Sequence, residues 1–322
     1  MKARVFIRAD GSPQIGLGHI VRCYALALML KADFTITFFC KYIPEKICNE
    51  LTDNGFEVMK IAEEPDFLDV LTDNSIIVLD GYHFSTAYQK TIKNIGAKLV
   101  CIDDLFDKEF FADLIVNHAP AVKPADYRCQ SYTTFALGPE YVLLRPAFLE
   151  QAQQERIFDK IETIMICFGG SDSKNLSAKI VEIVSGFSEF KKINLVTGAA
   201  YEYEHTLTEI TATDNRIRHY KAIDEKQMLL VMRESDIAIV PSSGTLLEAL
   251  ACNCRVISGK YIDNQELLFE RYKNAGMFIN AGSFAAGDVY DAVRQALSSK
   301  QKQVKPFDGK SAVRLRERFL KL

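Results

Sequence analysis

The sequence predicts an α/β protein of two successive domains, each built on a doubly wound parallel sheet. First, its 322 residues exceed the size at which one hydrophobic core usually stops growing. Second, short apolar segments alternate with longer segments of helical period, as in stacked β-α units. Third, the alternation begins again in the second half after a polar stretch. Such domains bind ligands at the carboxyl ends of their strands, and we expect the two to face a cleft.

The predicted strands fall into two series. The first series is Arg4–Arg8, Phe34–Cys40, Glu57–Ile61, Ser75–Asp80, Lys98–Asp103 and Asp113–Asn117, and the second is Thr163–Phe168, Ile193–Thr197, Arg216–Tyr220, Asp236–Val240 and Arg255–Ser258. Between them, residues 138–160 lack the apolar spacing of a core element, so we place the boundary near Glu155, between domains 1–154 and 155–322. Apolar spacing predicts a terminal helix over Gly309–Leu322 that needs an apolar surface, and we allow for its return to the N-terminal domain.

Composition favours a globular protein with a small partner. Hydrophobic residues make up 48% and charged residues 25%, which argues against disorder. The formal net charge is −3 without a Lys/Arg block, so nucleic acid is not the expected partner. No leader-like segment and no stretch near the roughly 20 apolar residues of a membrane span occur, so we expect a cytoplasmic protein.

The eight cysteines fit a reducing compartment. Cys40, Cys101 and Cys167 stand within apolar segments, as reduced core thiols do. Cys252 and Cys254 form a C-x-C without a second pair or a spaced histidine, which favours a buried structural role over metal binding.

A glycine-rich loop follows the first strand. Gly16 and Gly18 precede an apolar helical pattern, so bare backbone N–H groups and a helix N-terminus meet there, as an anion or polar sugar requires. The dinucleotide spacing G-x-G-x-x-G fails at Val21, which argues against a nicotinamide cofactor.

His19 is the candidate catalytic residue of this loop. A helix N-terminus disfavours a positively charged ring, and a neutral ring is what a general base requires. The alternative is a histidine that only packs at the start of the helix. Arg22, one turn later, has two expected partners, a ligand phosphate or Asp10, of which the ion pair is the commoner outcome.

In the second half, Gly169, Gly170 and Ser171 follow a hydrophobic strand. Two glycines and a serine present a backbone concavity suited to phosphate, although a simple tight turn has the same composition.

The next candidate loop begins a helix after Asp236–Val240. Ser243, Gly244 and Thr245 offer donors to a diphosphate, and we expect Glu248 in the first helical turn, where it could accept the ribose hydroxyls or act only as a cap. Asn264 and Gln265, after the following strand, offer amide groups to the same crevice, although both residues are common in loops.

Four segments together carry a family resemblance. RADGSPQIGLGHIVRC, CFGGSDSKNL, PSSGTLLEA and the pair Asn264-Gln265 resemble the UDP-2,4-diacetamido-2,4,6-trideoxy-β-L-altropyranose hydrolase family of pseudaminic acid biosynthesis, which is similar in fold to the glycosyltransferase MurG. The resemblance covers essentially the whole chain. It implies a GT-B fold of two Rossmann-like domains, with UDP bound mainly by the C-terminal domain and the sugar at the N-terminal loops.

The resemblance also implies residue roles. It assigns His19 as the base that activates water, the Gly169–Ser171 turn to the uracil and phosphates, and Glu248 to the ribose. Asn264 and Gln265 fall near the sugar or diphosphate, Tyr82 borders the sugar, and Asp103-Asp104 matches a recurring acidic pair. The sequence departs from the family at Pro241-Ser242-Ser243-Gly244, where consecutive glycines are usual, so a related amino sugar fits equally well.

The resulting hypothesis is hydrolysis of a UDP-linked deoxyamino sugar at its anomeric carbon, in nonulosonic acid or surface polysaccharide biosynthesis. The alternatives are a GT-B glycosyltransferase and a non-catalytic nucleotide-sugar binding protein; an epimerase fits on fold grounds alone. We expect no metal and no other cofactor, because no D-x-D occurs and adjacent carboxylates such as Asp103 and Asp104 point to opposite faces of a strand. The expected partners are the UDP-sugar and water, with no nucleic acid and no membrane span, for a protein acting as a monomer.

Overall fold

The structure, a computed structural model, describes residues 2–12, 15–158, 160–299 and 305–322. These residues form two compact units. Unit 1 extends to Pro146 and includes Lys310–Leu322, and unit 2 is Ala147–Gly309. Helices and parallel strands alternate in each, so the predicted α/β class is confirmed.

Unit 1 is built on a seven-stranded parallel sheet within the described part of the chain. Its strands are β1 (Ala3–Ala9), β2 (Phe34–Cys40), β3 (Glu57–Lys60), β4 (Ser75–Asp80), β5 (Lys98–Ile102), β7 (Leu114–Asn117) and β9 (Thr134–Leu137), and β6 (Glu109–Phe110) pairs separately with β8 (Arg128–Cys129). Its helices are α1 (Gly18–Leu30), α2 (Glu45–Asp53), α3 (Glu64–Leu68) and α4 (Thr86–Asn94), with short 3-10 helices at Pro124–Asp126 and Pro139–Tyr141.

The strand order of unit 1 locates its ligand edge. The order is β3-β2-β1-β4-β5-β7-β9, so the winding reverses between β1 and β4. Ligands of doubly wound sheets bind outside the carboxyl ends of the strands at this switch point. Ala9 and Asp80 stand opposite each other there. Every residue of β4 is buried, because helices cover both faces of the sheet.

Unit 2 repeats the plan with a six-stranded parallel sheet among its described residues. Its strands are β10 (Thr163–Cys167), β11 (Lys192–Thr197), β12 (Ile217–Lys221), β13 (Ile237–Pro241), β14 (Arg255–Gly259) and β15 (Ile279–Asn280). Its helices are α6 (Leu176–Ser185), α7 (Glu204–Thr213), α8 (Glu225–Glu234), α9 (Gly244–Ala251), α10 (Glu266–Asn274) and α11 (Ala286–Ser298), with a 3-10 helix at Asp263–Gln265. The order β12-β11-β10-β13-β14-β15 puts the switch point between β10 and β13.

The polar connection differs from its prediction. Residues 138–160 contain helix α5 (Pro146–Ala152), and its Phe148, Leu149 and Ala152 are buried. The polar residues around this short helix hide its apolar spacing in the sequence. The first unit therefore ends at Pro146, before the predicted boundary near Glu155.

The C-terminal helix α12 (Ser311–Phe319) belongs to unit 1. Its Leu315 and Phe319 are buried, and the Phe319 ring meets that of Phe34 edge to face with centroids 6.1 Å apart. Arg316 Nη2 donates to Asp33 Oδ1 at 2.7 Å. Apolar contact and an ion pair together dock the end of the chain beside β2.

None of the helices in the described part of the chain has the length and apolar character needed to cross a bilayer.

We expect Phe319→Ala to lower the free energy of unfolding of unit 1 by about 3–5 kcal/mol, because it removes a buried ring and leaves a cavity. The measurement is urea denaturation followed by circular dichroism. Val313→Ala on the same helix is the control, since Val313 is 57% exposed. Equal stabilities of the two variants would contradict the docking of α12.

Candidate active site

Three side chains of α1 converge on one carboxylate at the switch point of unit 1. His19, Arg22 and Cys23 stand at i, i+3 and i+4, which places them on one face of the helix. That face meets Asp80 at the end of β4. His19 Nδ1 lies 2.7 Å from Asp80 Oδ1, and the Cys23 thiol donates to Asp80 Oδ2 at 3.4 Å.

Arg22 neutralises Asp80, which is completely buried. Its Nε donates to Asp80 Oδ2 and its Nη2 to Asp80 Oδ1, both at 2.6 Å. Its Nη1 donates to Asp104 Oδ2 at 2.6 Å, so one guanidinium links the ends of β4 and β5. Burial opposes both charges, but the pairing holds the pKa of Asp80 well below its usual range and raises the pKa of Arg22.

The contact with Asp80 defines which nitrogen of His19 carries a proton. An ionised carboxylate only accepts hydrogen bonds, so His19 Nδ1 is the donor to Asp80 Oδ1. Arg22 Nη2 lies farther from the same nitrogen, at 3.3 Å. In the neutral ring Nε2 holds the lone pair, and it has no hydrogen-bond partner among the described residues. His19 therefore has the geometry of a general base.

Tyr82 packs against His19. Their rings meet edge to face with centroids 4.7 Å apart, and the Tyr82 hydroxyl lies 3.5 Å from Asp104 Oδ2. Partial burial and the Asp104 carboxylate raise the pKa of the phenol to about 12, so it remains a neutral hydrogen-bond donor at pH 7. Tyr82 is 43% exposed and can therefore reach a ligand beside His19.

The expected ion pair between Arg22 and Asp10 is not formed. Asp10 instead pairs with the buried Arg8 at 2.8 Å, and its Oδ1 accepts the backbone N–H groups of Lys41 and Tyr42. Arg8 and Asp10 are two residues apart, so an extended chain places them on one side. Arg22, on α1, meets the ends of β4 and β5 instead.

Gly16 and Gly18 have different roles in the loop after β1. Gly16 has φ of +85°, a conformation that favours glycine, and its N–H donates to the Ser12 carbonyl at 2.8 Å. Gly18 begins α1, and a Cβ there would meet nothing within 4 Å. The space at Gly18 is open beside His19. Pro13 and Gln14 of the same loop lie outside the described residues.

In unit 2, the turn after β10 leaves backbone donors open. Gly169 has φ of +78°, so the chain turns sharply there. Gly170 and Ser171 are exposed, and their N–H groups bond to no carbonyl in the described residues. The Gly169–Ser171 turn can therefore donate two hydrogen bonds to an anion.

Asp172 caps the N-terminus of the helix that follows this turn. Its buried carboxylate accepts the N–H groups of Leu176 at 2.8 Å and Ser177 at 2.7 Å. Burial raises the pKa of Asp172, while these hydrogen bonds oppose the shift. The N-terminus of α6 is thus occupied by a side chain of the protein itself.

The N-terminus of α9 is open by contrast. Ser243 precedes the helix and makes no side-chain cap, and the N–H groups of Gly244 and Thr245 have no carbonyl partner in the part of the chain described. Because β13 lies next to β10, these donors and the Gly169–Ser171 turn flank one switch point. Together with the helix dipole, they form an environment suited to a diphosphate.

Glu248 lies deeper in α9 than the sequence predicts. The helix begins at Gly244, and its first turn contains no acidic residue, so the expected placement of Glu248 in that turn is wrong. The reason is that Pro241 and Ser242 complete the strand and turn before the helix starts. Burial raises the pKa of the Cys167 thiol to about 12, and the negative charges of Glu248 and Asp172 add to this shift. Because a charge must be near a thiol to raise its pKa, Glu248 lies near the end of β10.

Gln265 serves its own loop. It is buried, and its Oε1 accepts the Tyr261 N–H at 3.0 Å, so its amide oxygen holds the loop in place. Tyr261 in turn donates from its hydroxyl to the Phe168 carbonyl at 3.3 Å. Asn264 is exposed and remains a predicted ligand contact.

The C-x-C pair is buried in unit 2. The Cys254 thiol donates to the Met232 carbonyl at 3.1 Å, and Cys252 is fully covered. Over the residues that the structure describes, no group of three or more His, Cys, Asp and Glu side chains is arranged to hold a metal ion.

Relatives of the chain share most of its length. No family model matches it. The UDP-2,4-diacetamido-2,4,6-trideoxy-β-L-altropyranose hydrolase of Campylobacter jejuni is 28% identical over 278 residues, covering 82% of this chain and 93% of the hydrolase. The resemblance to this hydrolase family is confirmed.

Two further relatives are similar to this chain. The spore coat polysaccharide biosynthesis protein SpsG of Bacillus subtilis is 25% identical, covering 86% of this chain and 83% of SpsG. An uncharacterized protein of Methanocaldococcus jannaschii is 28% identical over 79% of this chain, which spans about half (55%) of that longer protein.

Solved structures establish the fold. MurG of Acinetobacter baumannii has a TM-score of 0.60 at 13% identity and covers 98% of this chain and 95% of its own. A putative UDP-N-acetylglucosamine 2-epimerase of Listeria monocytogenes has a TM-score of 0.63 at 14% identity, covering 100% and 98%. The predicted GT-B-type fold is therefore confirmed.

Two residues of this candidate site escaped the sequence analysis. The sequence predicts Asp80 only as the last residue of a strand and Asp104 only as part of an acidic pair, yet Arg22 binds both. An aspartate that ends the apolar strand Ser75–Asp80 was the available signal, because a buried carboxylate requires a partner.

We expect His118, which is buried near this cluster, to weaken the fold below pH 6.5. Burial, reinforced by the Arg22 cation, lowers its pKa to about 4 although Asp104 opposes the shift. The unfolded chain binds the proton near pH 6.5 and the folded chain does not, so stability is lost as the pH falls from 6.5 to 4, by up to about 3 kcal/mol.

The measurement is urea unfolding at pH 7 and pH 4. His118→Gln should lose less stability than the wild-type protein over this interval, whereas His205→Gln, at an exposed position on α7, should lose as much. Parallel pH profiles for the wild-type and His118→Gln proteins would contradict the shift.

Proposed function

We propose that the protein hydrolyses a UDP-linked deoxyamino sugar at its anomeric carbon, releasing UDP and the free sugar. The observation that carries the proposal is the hydrogen bond from His19 Nδ1 to the buried Asp80, which leaves Nε2 as the proton acceptor. The activity of the Campylobacter jejuni relative, hydrolysis of UDP-2,4-diacetamido-2,4,6-trideoxy-β-L-altropyranose, supports the same reaction.

In the proposed step, His19 Nε2 removes a proton from water as the water oxygen attacks C1. The C1–O bond to the diphosphate breaks, and its electron pair leaves with UDP. The Asp80 and Asp104 carboxylates outnumber the Arg22 cation by one negative charge, so the cluster becomes neutral when His19 takes up the proton. Asp80 thereby stabilises the imidazolium and fixes its orientation, as the acid of a His-Asp pair does.

We assign UDP to unit 2. The open N–H groups of the Gly169–Ser171 turn and of Gly244 and Thr245 would receive the negative charge that develops on the diphosphate. Glu248, one turn into α9, would accept the ribose hydroxyls. Backbone donors need no reorganisation during the reaction, which is why they suit a leaving group of this charge.

Product analysis in ¹⁸O-water tests the reaction. We expect incubation with UDP-linked diacetamido-trideoxyhexoses to yield free sugar and UDP without added acceptor, and the UDP to be free of ¹⁸O because water attacks carbon rather than phosphorus. Turnover that begins only when an acceptor alcohol is added would show that the protein is a glycosyltransferase and not a hydrolase. Binding of the UDP-sugar without any turnover would show that the protein is a non-catalytic nucleotide-sugar binding protein.

We expect His19→Asn to lower turnover by about 10²–10⁴-fold, because the amide cannot accept the proton. UDP affinity should be unchanged, since the proposed nucleotide contacts lie in unit 2. Turnover, calorimetric UDP affinity and melting temperature are measured on the same preparations. His205→Asn, at an exposed position, is the matched control. A His19→Asn protein with full turnover would eliminate the mechanism.

We expect Glu248→Ala to weaken UDP binding by about 1.5–3 kcal/mol, the range for lost hydrogen bonds to a charged group. Isothermal titration calorimetry with UDP measures the change. Glu182→Ala, an exposed position on α6 of the same unit, should bind like the wild-type protein. Unchanged affinity in Glu248→Ala would remove Glu248 from the ribose site.

A further inference from the structure

We infer that Gly198 is a positioning residue for the nucleotide: its missing side chain allows the loop after β11 to hold the Gly169–Ser171 turn in the orientation that binds the diphosphate. This inference rests on the proposed function. Gly198 follows Thr197, the last residue of β11, which lies next to β10 in the sheet.

The contact at Gly198 is between two backbones. A Cβ placed there would lie 2.3 Å from the Gly170 carbonyl oxygen and 2.4 Å from the Gly170 Cα. Neither atom belongs to a flexible side chain, so the clash can be relieved only if one of the two loops moves. Gly198 does not have a positive φ, and alanine is therefore compatible with its local conformation. The requirement for glycine comes from the neighbouring turn alone.

The same loop fixes the direction of the Gly170 peptide. The Ala200 N–H donates to the Gly170 carbonyl at 3.2 Å. In a trans peptide the carbonyl and the N–H of the next residue point in opposite directions. Holding the Gly170 carbonyl toward Ala200 therefore turns the Ser171 N–H away from this loop.

The Ser171 N–H is the donor that this arrangement orients. Ser171 is exposed, and its N–H has no carbonyl partner among the residues described. A donor aimed by a rigid backbone contact binds a diphosphate oxygen without loss of conformational freedom. Displacing the turn by the width of a methyl group removes this alignment, although it leaves every proposed ligand-contacting side chain in place.

The test compares Gly198→Ala with Gly287→Ala. Gly287 lies on α11 at an exposed position where a Cβ meets nothing within 4 Å. We expect Gly198→Ala to raise the calorimetric Kd for UDP and the KM for the UDP-sugar by about 10- to 100-fold, the equivalent of one or two lost hydrogen bonds to a charged group. The kcat for the UDP-sugar should fall as well, because the same donor would stabilise the charge that develops on the diphosphate in the transition state. Gly287→Ala should match the wild-type protein.

A second pair of variants separates positioning from folding. Ala200→Pro removes the N–H that binds the Gly170 carbonyl, and Ala200→Gly retains it. We expect only Ala200→Pro to weaken UDP binding, in protein whose circular dichroism and melting temperature match those of Ala200→Gly. Wild-type UDP affinity in either Gly198→Ala or Ala200→Pro would overturn the inference, whatever its melting temperature. Failure of the wild-type protein itself to bind UDP would overturn the proposed function and this inference with it.

Discussion

The buried charge of Asp80 is the constraint on which the site of unit 1 depends. A carboxylate at the end of a fully covered strand loses its hydration and must be paired. Arg22 pairs with it through two hydrogen bonds, and the i, i+3 spacing then brings His19 to the same carboxylate. The orientation of His19 therefore follows from the pairing of Arg22 with Asp80, which the burial of Asp80 requires. Structural pairing and proposed proton transfer thus share one set of contacts.

Unit 2 uses the same topology with a different source of charge. Its switch point has open backbone N–H groups at the Gly169–Ser171 turn and the start of α9, where unit 1 has an arginine and two carboxylates. Backbone donors favour an anion, whereas a paired carboxylate favours a proton donor or a transient cation. The two switch points are therefore chemically suited to different groups, that of unit 2 to an anion and that of unit 1 to a proton donor or a transient positive charge.

The contrast between two helix N-termini in unit 2 explains where an anion can bind. Asp172 satisfies the first N–H groups of α6, so that helix already holds its anion. Helix α9 has no side-chain cap, although Ser243 is at the cap position. Serine caps are common and stabilising, so their absence at α9 leaves donors for another acceptor. Pro241-Ser242-Ser243-Gly244 thereby differs from a consecutive-glycine loop in sequence but still presents free backbone.

The sequence by itself determined the α/β class, the central strands of both sheets and the loops at their carboxyl ends, because buried strands and amphipathic helices leave local patterns of period 2 and 3.6. It also predicted His19 and the Gly169–Ser171 turn as candidate site residues, and these stay predictions. Short elements such as β9 and α5 escaped, since a few apolar residues among polar ones carry little periodicity. Only the tertiary structure decided that Asp80 pairs with Arg22 and His19. It also decided that Asp10 pairs with Arg8 and not with Arg22. These partners lie on separate elements, and parallel strand order, which no local pattern records, determines which of them meet.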